Sequence, residues 1–155
     1  MKKTQQLLTA IILLISTSAM AQKVGCNDRA IRLQSEQIKV GLKAQGMTVY
    51  RDAMIGMTSQ EAYPIAVQLD KGKMYQMIYV GNNMASKISF DLIDDEGKKL
   101  DSRVLNDPSQ TNYLVYSFIP EKSGIYVVGL TQKIRKQAIC GSFSIMEKAM
   151  DANKK

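Results

Sequence analysis

Side chains that can do covalent or acid–base chemistry are few in this chain, and their spacing limits what they can do. There is no histidine among the 155 residues, so neither a Ser-His-Asp nor a Cys-His arrangement can be assembled, and zinc sites built on imidazole are excluded. The glycine spacings of phosphate-cradling loops are missing as well. The acids that fall close together are Asp91, Asp94, Asp95, Glu96 and Asp101. Two facing carboxylates could hydrolyse a glycoside, although a run of acids around Gly97 reads more simply as a solvated turn. Asp94, Asp95 and Glu96, with the main-chain carbonyl of Lys98, are the candidate oxygen ligands for calcium. They match no defined calcium loop, and no other metal site and no cofactor is expected. Catalysis is not expected.

Two cysteines, Cys26 and Cys140, are present. In an oxidising compartment an isolated pair most simply forms one disulfide. Closing so long a loop stabilises by up to about 4–5 kcal/mol in the chain-entropy description. The alternatives are a reactive thiol, a metal ligand, or a lipid-modified Cys26. Lys23-Val24-Gly25 before Cys26 is a poor lipid-attachment signal. The remaining side chains with recognition chemistry are tyrosines: Tyr75, Tyr79 and Tyr113, and also Tyr50 and Tyr63, could stack on a sugar ring or anchor a peptide if exposed. The plainer reading places most of them in the core. Met74, Met77 and Met84 read as gap-filling core or loop residues.

The compartment follows from the first residues. Lys2 and Lys3 precede an apolar run from Leu7 to Ile15, and Ala19-Met20-Ala21 supplies a small-x-small cleavage signal. Residues 1–21 are therefore expected to be a signal peptide, giving a periplasmic or secreted protein cleaved near Ala21. No later stretch is apolar for the ~18 residues that a membrane-crossing helix needs. With Lys2 and Lys3 gone, the 21 basic and 14 acidic residues become 19 and 14, a net +5. A modest positive charge suits anionic surfaces such as lipid headgroups or polyanionic glycans, but only Lys133-Ile134-Arg135-Lys136 clusters. No nucleic-acid partner is expected.

The elements that position these residues come from periodicity. Residues 22–46 form an N-terminal segment with a helix over 27–45, capped by Asn27 or Asp28 and ended by Gly46. Its stripe is Ile31, Ile38 and Leu42, while Leu33, Val40 and Ala44 fall on the opposite side. Residues 47–146 form one domain of about eight short strands, and 147–155 a charged tail. Met47, Val49, Ala53 and Ile55 alternate along the first strand, with Arg51 breaking the apolar face. The strand from Met74 to Val80 is apolar on both faces, so it is expected to be central or covered on both sides. Ile88, Phe90 and Leu92 alternate cleanly. Tyr113 to Gln132 reads as a hairpin, two β-rich runs around a loop holding Pro120 and Gly124. In the last strand Ile139, Gly141, Phe143 and Ile145 share a face. Cys140 has the opposite parity, so its disulfide should pin the N-terminal segment to the outside of the sheet. The fold class expected is mainly β: an antiparallel β-sandwich, jelly-roll-like, with one N-terminal helix.

The span from Tyr63 to Leu130 resembles the bacterial pre-peptidase C-terminal domain, a β-sandwich of secreted proteins. The residues that carry this are the strand–turn Val67 to Tyr75, the turn Asp94-Asp95-Glu96-Gly97, and Phe118-Ile119-Pro120-Glu121-Lys122-Ser123-Gly124-Ile125-Tyr126. In that family the domain usually accompanies a secreted enzyme, and some members bind extracellular polymers or calcium. The resemblance thus implies a sandwich fold and an accessory role, and no attached catalytic domain is expected. Taken together, the readings are an exported, non-catalytic module binding a protein or glycan at the cell envelope; a structural or accessory subunit of a secreted enzyme; and, least favoured, a carboxylate-based hydrolase. The places to look for a site are the loops 81–87 and 106–111 and the face beside the cysteine bridge.

Overall fold

The computed structural model describes residues 26–135 and 138–148; the expected signal peptide, and the tail beyond residue 148, lie outside them. Among the described residues one helix, α1 (Arg29–Lys43), precedes eight strands: β1 (Met47–Thr58), β2 (Tyr63–Leu69), β3 (Tyr75–Val80), β4 (Lys87–Ile93), β5 (Lys99–Asn106), β6 (Tyr113–Phe118), β7 (Gly124–Lys133) and β8 (Ala138–Lys148). The strands form two four-stranded antiparallel sheets with the orders β1-β8-β3-β6 and β2-β7-β4-β5. This is the jelly-roll order, and the expected fold class is the observed one. β8 runs to Lys148, two residues into the stretch read as tail.

One expectation is overturned. β6 and β7 do not form a hairpin: β6 pairs with β3 in one sheet, and β7 pairs with β2 and β4 in the other. The loop around Pro120 crosses between layers instead. Pro120 is buried, and its carbonyl accepts the Gly72 amide at 2.9 Å, while the Lys71 amide donates to Ser123 Oγ at 2.8 Å. The β2–β3 and β6–β7 crossings are thereby laced to each other. Of consecutive strands, only β4 and β5 are hydrogen-bonded neighbours.

Alternation explains the core. Between the sheets lie Val67, Leu69, Tyr75, Met77, Tyr79, Ile88, Phe90, Leu92, Tyr126, Val128, Leu130, Phe143 and Ile145. The other face of β3 is covered too, as its sequence requires: Ile78 and Val80 join Met146, Met47, Ile31 and Leu42 beneath the helix. α1 is capped by Asp28, whose Oδ1 accepts the amides of Ala30 and Ile31 at 3.0 and 3.2 Å. It ends before Gly46, at φ +82°, a conformation glycine adopts without Cβ strain. Its buried stripe is Ile31, Ser35, Lys39 and Leu42, and Leu33 and Val40 face solvent.

Close packing at the start of the β3–β4 connection leaves no room for a side chain at Gly81. A Cβ there would meet Ile88 Cγ2 at 2.8 Å and Gln132 Oε1 at 3.1 Å. Gly81→Ala should therefore lose about 1–3 kcal/mol of stability by overpacking. Gly129→Ala, whose Cβ would meet only Asp91 Cβ at 3.7 Å, should stay within about 0.5 kcal/mol. Urea melts of the two variants give the comparison, and equal losses would refute the packing argument.

Candidate functional site

Strand β1 is where this molecule departs from regular alternation. Against β8, Val49 pairs with Met146 and Arg51 with Ile145, so Tyr50 is an extra, bulged residue. One inserted residue reverses the parity of everything after it. Met47, before the bulge, packs under the helix, whereas Ile55 and Met57, after it, enter the inter-sheet core. The single alternating face expected over Met47–Ile55 is thus two faces.

The bulge directs three neighbouring side chains differently. The Tyr50 hydroxyl donates to the Gln68 carbonyl at 2.8 Å, bridging the open side between β1 and β2, and its ring centre lies 5.7 Å from that of Tyr75. Arg51 is exposed at the strand edge. Asp52 turns toward the helix, where its carboxylate accepts Ser144 Oγ at 2.7 Å and Lys39 Nζ at 2.5 Å. Lys39 also donates to Glu36 at 2.7 Å, and its side chain is only 3% exposed. Ser142 Oγ donates to Ser35 Oγ at 2.8 Å, with Ser144 Oγ at 3.4 Å from Ser35 Oγ. A polar cluster therefore sits where a helix-on-sheet contact is usually apolar.

Two hollows flank this strand. A groove of about 490 Å³ is lined by Tyr50, Arg51, Asp52, Ala53, Ile65 and Phe143. On the helix side a smaller hollow of about 230 Å³ touches Arg32, Glu36, Lys39, Asp52 and Ser142 among others. Asp52 and Ala53 line both.

The serine–lysine cluster is a clamp and not a nucleophile. Ser142 and Ser144 are 2% and 0% exposed, and their hydroxyls are spent on Ser35 and Asp52. Burial alone would pull the Lys39 ammonium's pKa down, but the hydrogen bonds it donates to the Asp52 and Glu36 carboxylates more than reverse this and hold it above the ordinary lysine value. A lysine held protonated cannot serve as a base near neutral pH.

The other candidates distribute as follows. Cys26 and Cys140 form the disulfide, Cα atoms 5.5 Å apart, and Cys140 packs on the helix side of the sheet as its parity requires. Tyr75 and Tyr79 are corrected: both are fully buried, because β3 is the strand covered on both faces. The Tyr75 oxygen accepts the Asp70 amide at 3.1 Å, and the Tyr79 hydroxyl points at Met57 Sδ, its pKa driven up by burial. Tyr113 stays exposed at the start of β6. Asp94 Oδ1 is taken by the amides of Glu96 and Lys98 at 3.1 and 2.8 Å, so this carboxylate shapes the turn that Asp95 and Glu96 occupy. Among the described residues, no three of His, Cys, Asp or Glu come together as a metal group. Asp91 pairs across from Ser102, and Asp101 across from core residue Leu92, so the two acids lie on opposite faces of their sheet. Asp91 is bound by Lys99 and Asp101 by Arg103, each at 3.0 Å.

What sequence reasoning missed is Lys39 and the Tyr50–Arg51–Asp52 bulge. The signals were there: Ile31, Ser35, Lys39 and Leu42 form an i, i+4, i+8, i+11 stripe with polar members, and Arg51 interrupts an apolar face. Ser142 and Ser144 fill the parity opposite Phe143 and Ile145. What one strand cannot show is that these three signals converge.

No family model matches the chain, and no curated protein matches it. Solved structures with some likeness include the disulfide-linked pili of Bacillus endospore appendages (9% identity, TM-score 0.39, covering 67% of this chain and 89% of that one). A family 4 carbohydrate-binding module has 13% identity and TM-score 0.39, covering 66% and 79%. The xylan-binding module CBM22-1 of Paenibacillus barcinonensis Xyn10C has 14% identity and TM-score 0.36, covering 68% and 88%. Values this low establish neither kinship nor a shared ligand.

Proposed function

We propose that this protein is an exported, non-catalytic β-sandwich module that binds an envelope glycan in the groove beside the β1 bulge. The observation that carries this reading is the make-up of the groove: the aromatic Tyr50, the apolar Ile65 and Phe143, and exposed Arg51 as its charged member, the carboxylate of the lining residue Asp52 being engaged by Lys39 and Ser144 on the helix side. A pyranose offers one apolar face and a fringe of hydroxyls, and recognition of such a ring calls for a flat apolar surface with a few placed donors and acceptors. The disulfide supports export, since such bridges persist in oxidising compartments. Among the described residues no helix is long and apolar enough to cross a membrane. The resemblance to the pre-peptidase C-terminal domain fits a module working beside a secreted enzyme.

A glycan array followed by calorimetric titration tests the reading. Arg51→Ala, at an exposed position, should weaken the best ligand about tenfold or more while leaving the melting temperature unchanged. A blank array, or an unaffected Arg51→Ala, would remove the proposal. One observation favours a second reading, a protein ligand: β1 is a 12-residue strand at the edge of its sheet, with one side of its ladder unpaired. A partner's extended segment could add there. Envelope pull-downs that need an intact β1 edge, with a blank array, would favour it.

A further inference from the structure

We propose a membrane-docking corner at the end of the sandwich formed by the β3–β4 connection and the end of β7. It takes an anionic phospholipid surface, and it is separate from the β1 groove. β4 and β7 pair so that Lys87 stands directly opposite Lys133. Both are exposed, as is Arg135 just beyond β7, and none of the three enters an ion pair among the described residues. Like charges directly opposite on neighbouring strands repel. Two acids adjoin the corner: Asp107, whose amide donates to the Ser86 carbonyl, and Glu61, in the turn whose Gln60 and Ser59 bond Gln132 and Ile134, and neither enters an ion pair among the described residues. Lys133 and Arg135 stand two residues apart in the sequence; strand register brings Lys87 to them.

The same corner projects an apolar side chain. Met84 is 67% exposed, and the turn that carries it is braced. Asn82 Oδ1 accepts the Met84 amide at 2.8 Å, and the Ser86 amide and hydroxyl both donate to the Lys133 carbonyl, at 2.7 and 3.2 Å. A soluble polyanion would need only the cations. A thioether held out beside three cations gains from a partner only where an apolar layer lies under a layer of negative charge, which is the arrangement of phospholipid phosphates over acyl chains. The flexible, polarisable methionine side chain suits an irregular interface of that kind.

Co-sedimentation of the full folded chain with vesicles tests this. The protein should pellet with phosphatidylcholine vesicles containing about one-third phosphatidylglycerol, and not with phosphatidylcholine alone. Binding should fall as salt rises from about 0.1 to about 0.5 M. Lys87→Glu/Lys133→Glu should lose roughly tenfold or more of its partitioning, and Met84→Asp most of it. Lys98→Glu/Lys122→Glu, the same change of net charge at the opposite ends of β4 and β7, should bind as the parent does. All these side chains are exposed, so unchanged melting temperatures confirm intact folds. The proposal is overturned if anionic vesicles do not pellet the protein, or if the opposite-end variant loses as much as Lys87→Glu/Lys133→Glu. It is also overturned if Met84→Asp binds normally, which would leave a patch for free polyanions. Groove variants such as Arg51→Ala should leave vesicle binding untouched, so the two proposals can fail separately.

Discussion

Asp52→Ala should destabilise the protein by about 3 kcal/mol, and Lys39→Met by only about 1 kcal/mol, although both break the same ion pair. The asymmetry comes from exposure. Removing Asp52 leaves the Lys39 ammonium, 3% exposed, facing only Glu36, and takes the acceptor from buried Ser144. Removing the ammonium leaves Asp52, whose side chain is 41% exposed and keeps Ser144, with access to water. A methionine also refills the space with apolar volume. Urea titrations of both single variants and the double variant give the ranking, and the reverse order would refute the clamp. The pH dependence has a definite sign. Because the folded pKa of Lys39 lies above its ordinary 10.5, the contribution of the pair is complete below about 10.5 and is lost only as pH climbs through the folded value. The stability gap between parent and Lys39→Met should therefore be flat across neutral pH and narrow in strong alkali. A gap that narrows between pH ~6 and ~8 would contradict this assignment.

The larger effect expected belongs to the disulfide. Cys26 and Cys140 are 114 residues apart in sequence, and opening a loop that long costs about 4 kcal/mol in the chain-entropy description, with about 2–5 kcal/mol typical for native bridges. For a domain of this size that is a fall in melting temperature of roughly 10–20 °C. Cys26→Ser/Cys140→Ser and the reduced parent should agree, which separates the bridge from any effect of the serines. The helix should suffer first, since the bridge anchors the segment just before Asp28, and α1 otherwise rests on the small cluster of Ile31, Ile38, Leu42 and their partners and on the Lys39–Asp52 and Ser35–Ser142 contacts. A reduced protein melting within about 1 °C of the oxidised one would refute the estimate.

Much of this architecture could be read locally. Alternation placed Ile88, Phe90 and Leu92 inside, parity put Cys140 outside, and the Asp28 cap and Gly46 stop framed the helix. The misreadings have one source: which strand lies beside which is a long-range matter. The segment 113–132 has the composition of a hairpin because turn residues look alike whether the chain doubles back within a sheet or crosses to the other. The bulge at Tyr50 is visible only against β8. Tyr75 and Tyr79 have the chemistry of surface aromatics, but their own strand, apolar on both faces, argues for burial, and buried is what they are. Lys39 escaped because a lysine on a helix stripe is normally solvated, and the Asp52 that keeps it charged comes from a different element.

The pairing of β1 with β8 has a consequence for how such a chain is made. For a polypeptide threaded N-terminus first across a membrane, β1 emerges early and finds no partner until the last strand has followed. Among the described strands only β4 and β5 can pair as neighbours in sequence, so there is little for a partial chain to fold around. Loop closure of this length makes folding slow, on the order of milliseconds to seconds, by topology alone. On the proposed export route the same wiring would keep the chain loose in a narrow pore, and the Cys26–Cys140 bond, joining the first described residue to β8, can form only once Cys140 has emerged.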